Sequence, residues 1–236
     1  MEQVVDPLVI FDCDGVLVDS EPLSIRVLID IVRMHGADLD EAEAYRKFLG
    51  RSLSNLVSVL GSEYGIAADA GFLERMRRDL YHRFERELLP VNGVADALAT
   101  LPFRRCVASS SQPERIRLSL KLTGLLSFFE PNIFSATMVD NGKPAPDLFL
   151  HAAQQMATDP AHCIVIEDSP AGILAAKRAG MTVFAFVGGS HADREEYRHE
   201  VAALSPDVTF DAMSDLLHFV RKLSSQPAVR SSSPAP

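Results

Sequence analysis

Leu8-Val9-Ile10-Phe11 runs directly into Asp12-Cys13-Asp14-Gly15-Val16-Leu17-Val18-Asp19-Ser20-Glu21. An apolar run of this length that ends in an acidic turn reads as a parallel strand buried on both faces. Ligands of an open α/β sheet bind beyond the C-terminal ends of its strands. The turn therefore brings the carboxylates of Asp12 and Asp14 to such an end. Two close carboxylates repel unless positive charge stands between them. A hard divalent cation such as Mg²⁺ meets that need, because it prefers oxygen ligands.

Outward from this stretch, short apolar runs recur at 105–109, 132–135, 163–166, 182–186 and 207–210. Helical patterns fill most of the gaps. Pro113 opens one helix that stops near Gly124. Pro146 opens another, with Leu148, Phe149, Ala152 and Met156 on one face. Ser169 reads as an N-cap with Pro170 at the first helical position, and Gly180 closes that helix. Strands alternating with helices predict an α/β fold with a doubly wound parallel sheet.

Residues 21–90 break the rhythm and hold no strand pattern. Leu23, Val27, Ile31 and Met34 form one helical stripe. Leu53, Leu56, Val57 and Leu60 form a second, and Phe72, Met76, Leu80, Phe84 and Leu88 a third. The expected organisation is a core of residues 1–20 and 91–222, with a small all-helical cap at 21–90 inserted after the first strand. Pro90-Val91-Asn92-Gly93 is the return hinge. Residues 223–236, rich in Ser, Pro and Ala, read as a disordered tail.

The chain has 236 residues, 47% of them apolar, and a formal net charge of −9. That charge argues against nucleic acid as a partner, since a polyphosphate needs a basic face. An anionic small molecule must then be drawn by a local cation. Cys13, Cys106 and Cys163 lie in or beside strands without paired spacing, so they read as buried, reduced thiols. No apolar run is long enough to span a bilayer. The expectation is a monomeric cytoplasmic protein with no membrane partner.

Further stretches suit the chemistry of the first. Ser109, Ser110 and Ser111 end a strand with hydroxyls and a turn, which suits phosphate oxygens; simple N-capping by Ser111 before Pro113 is the alternative. Gly142-Lys143-Pro144-Ala145-Pro146-Asp147 places one lysine just before a helix. Its ammonium suits a transferring phosphoryl group, and an ordinary surface lysine is the alternative. Ile164-Val165-Ile166 ends in Glu167 and Asp168, either as further cation ligands or as acids at a helix N-terminus.

Together these stretches resemble the haloacid dehalogenase superfamily. Residues 12–20 fit its D-x-D-G-[VTI]-[LI]-x-D-[ST] motif throughout. Ser109 matches the second motif, Lys143 the third in a G-K-P-x-P-D setting, and residues 167–172 the fourth, E-D-S-x-x-G. The resemblance implies a Mg²⁺-dependent phosphatase acting on a small phosphorylated metabolite, a sugar or sugar-acid phosphate. Asp12 would be the nucleophile and Asp14 the general acid and base. The Asp12 side chain, the Asp14 main-chain carbonyl and Asp168 would hold Mg²⁺, with Glu167 ligating directly or through water. Ser109, the Ser110 amide and Lys143 would grip the phosphoryl oxygens. Cys13, aimed at the other face, is structural.

The helical insert resembles the cap of the beta-phosphoglucomutase-like subgroup, in which Gly50 and Arg51 would meet the substrate. Mutase members carry a histidine where this chain has Ser24, and a lysine where it has Gln112. Asp19-Ser20-Glu21-Pro22 and Gly188-Gly189-Ser190-His191 resemble the sugar-phosphatase members instead; His191 then lies either near the site or, the favoured expectation, on an exposed loop. Dehalogenation of carbon is disfavoured by the intact Asp14 and the Glu167-Asp168 pair. A non-catalytic phosphate-binding module would be expected to lack the nucleophile or the acid.

Overall fold

The computed structural model describes residues 6–49 and 53–224. Its centre is β1 (Leu8–Phe11), whose four residues are all buried. β1 pairs in parallel with β2 (Arg105–Ser109) on one side and β4 (Cys163–Glu167) on the other. β3 (Ile133–Ser135), β5 (Thr182–Phe186) and β6 (Val208–Phe210) complete an all-parallel sheet of order β3-β2-β1-β4-β5-β6. The six expected strands are thus present, each within a residue of its expected bounds at either end.

Alternation along each strand feeds two cores. Val9, Phe11, Val107, Ile164, Ile166, Phe184 and Phe186 face one, while Leu8, Ile10, Cys106, Ala108, Val165, Val183 and Ala185 face the other. The second core is covered by α7 (Asp147–Gln155), α8 (Pro170–Arg178) and α9 (Glu195–Ala203). The first meets α5 (Val94–Thr100), α6 (Pro113–Leu122) and α10 (Leu216–Ser224). Helices on both faces are why the strands read as unbroken apolar runs. α10 includes Leu223 and Ser224, expected in the tail; the rest of that tail lies outside the described residues.

Between β1 and α5 the described residues form helices and no strand: α1 (Glu21–Met34), α2 (Glu41–Phe48), α3 (Leu53–Tyr64) and α4 (Ala70–Glu87). Asp40 and Asp69 cap α2 and α4 by accepting from the amides of Glu43 and Phe72. The sequence pattern had shown no α2, since its buried face is only Ala44, Tyr45 and Phe48. Met34, expected on the α1 stripe, is 72% exposed. It stands in the last turn, past the point where α1 is covered. The chain's two passages at the ends of this segment are tied together: Asp19 N–H donates to Leu89 O, and Val91 N–H to Leu17 O, both at 3.0 Å.

Candidate active site

In this strand order the chain runs outward from β1 in both directions, so β1 and β4 flank the switch point where a crevice opens. Phe11 is in register with Ile166. The next residues, Asp12 just after β1, Glu167 at the end of β4 and Asp168 just after it, therefore emerge side by side. One oxygen from each lies within 4.8 Å of the others, and all three residues are buried.

Lys143 supplies the opposing charge from the loop before α7. Its Nζ donates to Asp12 Oδ1 at 2.7 Å, Glu167 Oε1 at 2.6 Å and Ala108 O at 3.0 Å. The ammonium also lies 4.8 Å from the centre of the Phe149 ring. The surface-lysine alternative is thereby ruled out: the side chain is 4% exposed. Burial works against the ammonium, yet Asp12 and Glu167 hold its pKa above the ordinary range. Burial also pushes the Asp12 carboxyl well up; Lys143 opposes that, and Glu167 and Asp168 add to it. Three buried carboxylates with one ammonium leave negative charge that a divalent cation would neutralise, so this donor set fits a hard metal.

Glu167 has both oxygens engaged. While Oε1 takes Lys143, Oε2 accepts from the Ser169 amide at 2.8 Å and its hydroxyl at 3.0 Å. Ser169 in turn caps α8 by accepting from Gly172 N–H at 3.1 Å. A Cβ on Gly172 would fall 1.8 Å from Glu167 Oε1, which explains the final glycine of the motif. Helix propensity alone favours alanine by about 1 kcal/mol. Gly172→Ala is nevertheless expected to destabilise by about 1–3 kcal/mol, since Glu167 must shift off Lys143. Thermal denaturation reads this directly, and a midpoint at or above wild type would contradict the packing.

Asp14 is held apart from this cluster. Its Oδ1 accepts from Ser20 Oγ at 2.5 Å and Arg115 Nη2 at 2.8 Å, and its Oδ2 from Ser111 Oγ at 2.6 Å. Burial works against the carboxylate, but Arg115 and the two hydroxyls bring its pKa below the ordinary range. Ser111 therefore serves Asp14 and is no N-cap; Gln112 stands at that position of α6 without a side-chain cap. Arg115 carried no recognisable signal in the sequence. Its guanidinium lies 5.3 Å from the Phe84 ring of α4. Burial pushes Glu21, beside Asp14, up to about 7, and the charge of Asp14 adds to this.

Ser109 is buried and accepts from Ser111 N–H at 3.2 Å, which closes the turn beyond β2; Ser110 is exposed at its tip. The Cys13 side chain packs in the first core, as expected, and burial pushes its thiol well up, so it is no nucleophile. Gly50 and Arg51 lie outside the described residues. His191 corrects the expectation of an exposed loop residue: it is 1% exposed, with Nε2 2.8 Å from Asp168 Oδ2.

Residues 9–186 match the family model for haloacid dehalogenase-like hydrolases. The chain belongs to that family. Among its relatives, the 6-phosphogluconate phosphatase of Escherichia coli (strain K12) is 31% identical over 184 residues, spanning 78% of this chain and 83% of the relative. Hexitol phosphatase A of the same organism is 34% identical over 186 residues, spanning 75% and 81%. A haloacid dehalogenase-like protein of Agrobacterium tumefaciens str. C58 superposes with a TM-score of 0.83 at 34% identity, covering 94% of this chain and all of that one. This haloacid dehalogenase-like hydrolase is a phosphatase. Its parallel sheet with flanking helices is the family's fold. No helix among the described residues is long and apolar enough to cross a membrane.

Proposed function

We propose that this phosphatase hydrolyses the phosphate ester of a small sugar or sugar acid through an aspartyl-phosphate on Asp12, with Mg²⁺ as cofactor. The observation that carries the reading is the buried Asp12 at the sheet's switch point, 2.7 Å from Lys143 and clustered with Asp168. The substrate class rests on relatives that act on phosphorylated gluconate and hexitols.

Asp12 attacks phosphorus, and the ester oxygen leaves with a proton from Asp14. Asp14 then takes a proton from water, which attacks the acyl phosphate; inorganic phosphate leaves and Asp12 is restored. Lys143 favours the ionised form of Asp12 against burial and offsets the charge of the phosphoryl oxygens, which Ser109 and the Ser110 amide meet. Asp12, Asp168 and the Asp14 main-chain carbonyl would hold the cation, with Glu167 acting by charge, since its oxygens are engaged. When bound, the cation supplies charge neutralisation between the carboxylates and the dianionic phosphate. Asp14 is held here in its ionised form, the form needed for activating water. The first step needs it protonated, and the incoming dianion favours that form.

Residues 21–90 act as a cap. Support comes from the paired passages at Leu17–Asp19 and Leu89–Val91, which tie the two ends of this helical segment together. Arg51, two positions before α3 in the sequence, is the candidate for substrate specificity within it. The test is phosphate release across phosphorylated sugars, sugar acids, hexitols and nucleotides, with Mg²⁺ or with chelator. Release from a sugar or sugar-acid phosphate well above the others, abolished by chelator, is expected. Equal rates with chelator would overturn the cofactor. Glucose 6-phosphate formed from beta-glucose 1-phosphate without free phosphate would replace hydrolysis by isomerisation.

A further inference from the structure

Gly188-Gly189-Ser190-His191 takes no part in the mechanism above, yet the loop after β5 carries it into the site. The His191 ring is enclosed, and glycines make room for it. A Cβ on Gly15 would fall 2.9 Å from its Cε1, and one on Gly189 2.7 Å from the same atom. Gly15 also has φ +79°, so a side chain at that turn would be strained as well as crowded. Ser190 Oγ anchors the loop by donating to Asp19 Oδ1 at 2.7 Å.

The ring's polar contact points one way. Nε2 lies 2.8 Å from Asp168 Oδ2, while neither ring nitrogen makes a well-aligned hydrogen bond within the protein. Tyr197 of α9 packs edge-on to the ring at 5.3 Å and donates its hydroxyl to the main-chain oxygen of Asp168 at 3.1 Å. His191 and Tyr197 thus clasp the side chain and main chain of one residue. An apolar ring would fill this space without the cost of burying two polar nitrogens. Asp168 is what makes a histidine worth keeping there.

We propose that His191 is a positioning residue for the cation, acting through Asp168. The 2.8 Å contact of its Nε2 with Oδ2 sets where that oxygen lies and leaves the carboxylate's other lone pairs for the ion. At 1% exposure the ring itself meets no substrate. The inference rests on the cation site proposed above. Partners that hold a ligating group in place typically control metal affinity by 10–100-fold.

The experiment compares His191→Gln, which keeps an N–H near the position of Nε2, with His191→Met, which has similar volume and no donor. Mg²⁺ binding is measured by calorimetry on the full chain with the metal alone. His191→Met is expected to weaken binding by about 10–100-fold, and His191→Gln by no more than about threefold. The midpoint of Mg²⁺ activation should move with the binding constant, while kcat at saturating Mg²⁺ recovers. Gly189→Ala, which drives a Cβ into the ring, should weaken binding in the same direction, and it decides the matter if His191→Met does not fold. Wild-type affinity in His191→Met, or in Gly189→Ala, would overturn the proposal. So would equal losses in the Met and Gln variants, which mark a packing role. A wild-type chain that takes up no Mg²⁺ would instead remove the cation site, and this inference with it.

Discussion

Asp12→Asn is expected to lower turnover by roughly 10⁴-fold or more while leaving the fold standing. The amide keeps the volume and an oxygen for the Lys143 ammonium, but it is no nucleophile toward phosphorus. The fold survives because the substitution removes charge from a crowded place. Asp12 shares its site with Glu167 and Asp168, whose charges oppose its ionisation. After substitution, Lys143 retains Glu167 at 2.6 Å and the Ala108 carbonyl at 3.0 Å. The measurements are phosphate release and rapid acid quench. Wild type should show an acid-stable, hydroxylamine-sensitive phosphoenzyme, and the variant none. Turnover within tenfold of wild type would end the assignment of Asp12 as nucleophile.

Lys143→Met should be the most damaging change to stability in the site. It removes one ammonium and leaves Asp12 and Glu167 buried without their shared counter-charge. Breaking a buried pair on one side typically costs about 3–5 kcal/mol. For a chain of this size each kcal/mol lowers the melting midpoint by about 2–4 °C. The comparison belongs in chelator, because an added cation would take over part of the lysine's work. The pH dependence has a definite sign. Burial already raises the folded-state pKa of Asp12 above its unfolded value, and losing Lys143 removes what opposes this, so the folded state binds that proton more tightly. The variant's deficit should then be largest at neutral pH and shrink as pH falls into the carboxyl range. Catalysis should be lost at every pH, since the phosphoryl group has lost its cation. A variant as stable as wild type at pH 7.5 would mean that the Lys143 contacts carry little weight.

Much of the fold was legible because the relevant signals are local. A strand covered on both faces by helices must be apolar throughout, so 8–11 and 163–166 stood out as runs. Pro170 and Gly180 mark the ends of α8 by their own backbone chemistry, with Gly180 at φ +71°. α2 was not legible, because three buried residues make too short a stripe. N-capping stood as the alternative for Ser111 because serine before a helix usually is a cap. Here its hydroxyl has a stronger acceptor, an ionised Asp14 at 2.6 Å. His191 was read as exposed because a glycine-rich loop normally lies at the surface. Those glycines instead admit an imidazole beside Asp168.

The sequence by itself determined the order of the strands with most of the helices between them, the residue types at each strand end and the family. Each of these depends on neighbours along the chain or on short motifs. Only the tertiary structure decided which charges meet. Lys143 reaches Asp12 across 131 positions and Arg115 reaches Asp14 across 101. Electrostatic energy depends on distance through a low-dielectric interior, not on separation along the chain. The central place of β1 in the sheet brings those groups together. That same closeness sets the opposite pKa directions of Asp12 and Asp14, two residues apart in sequence.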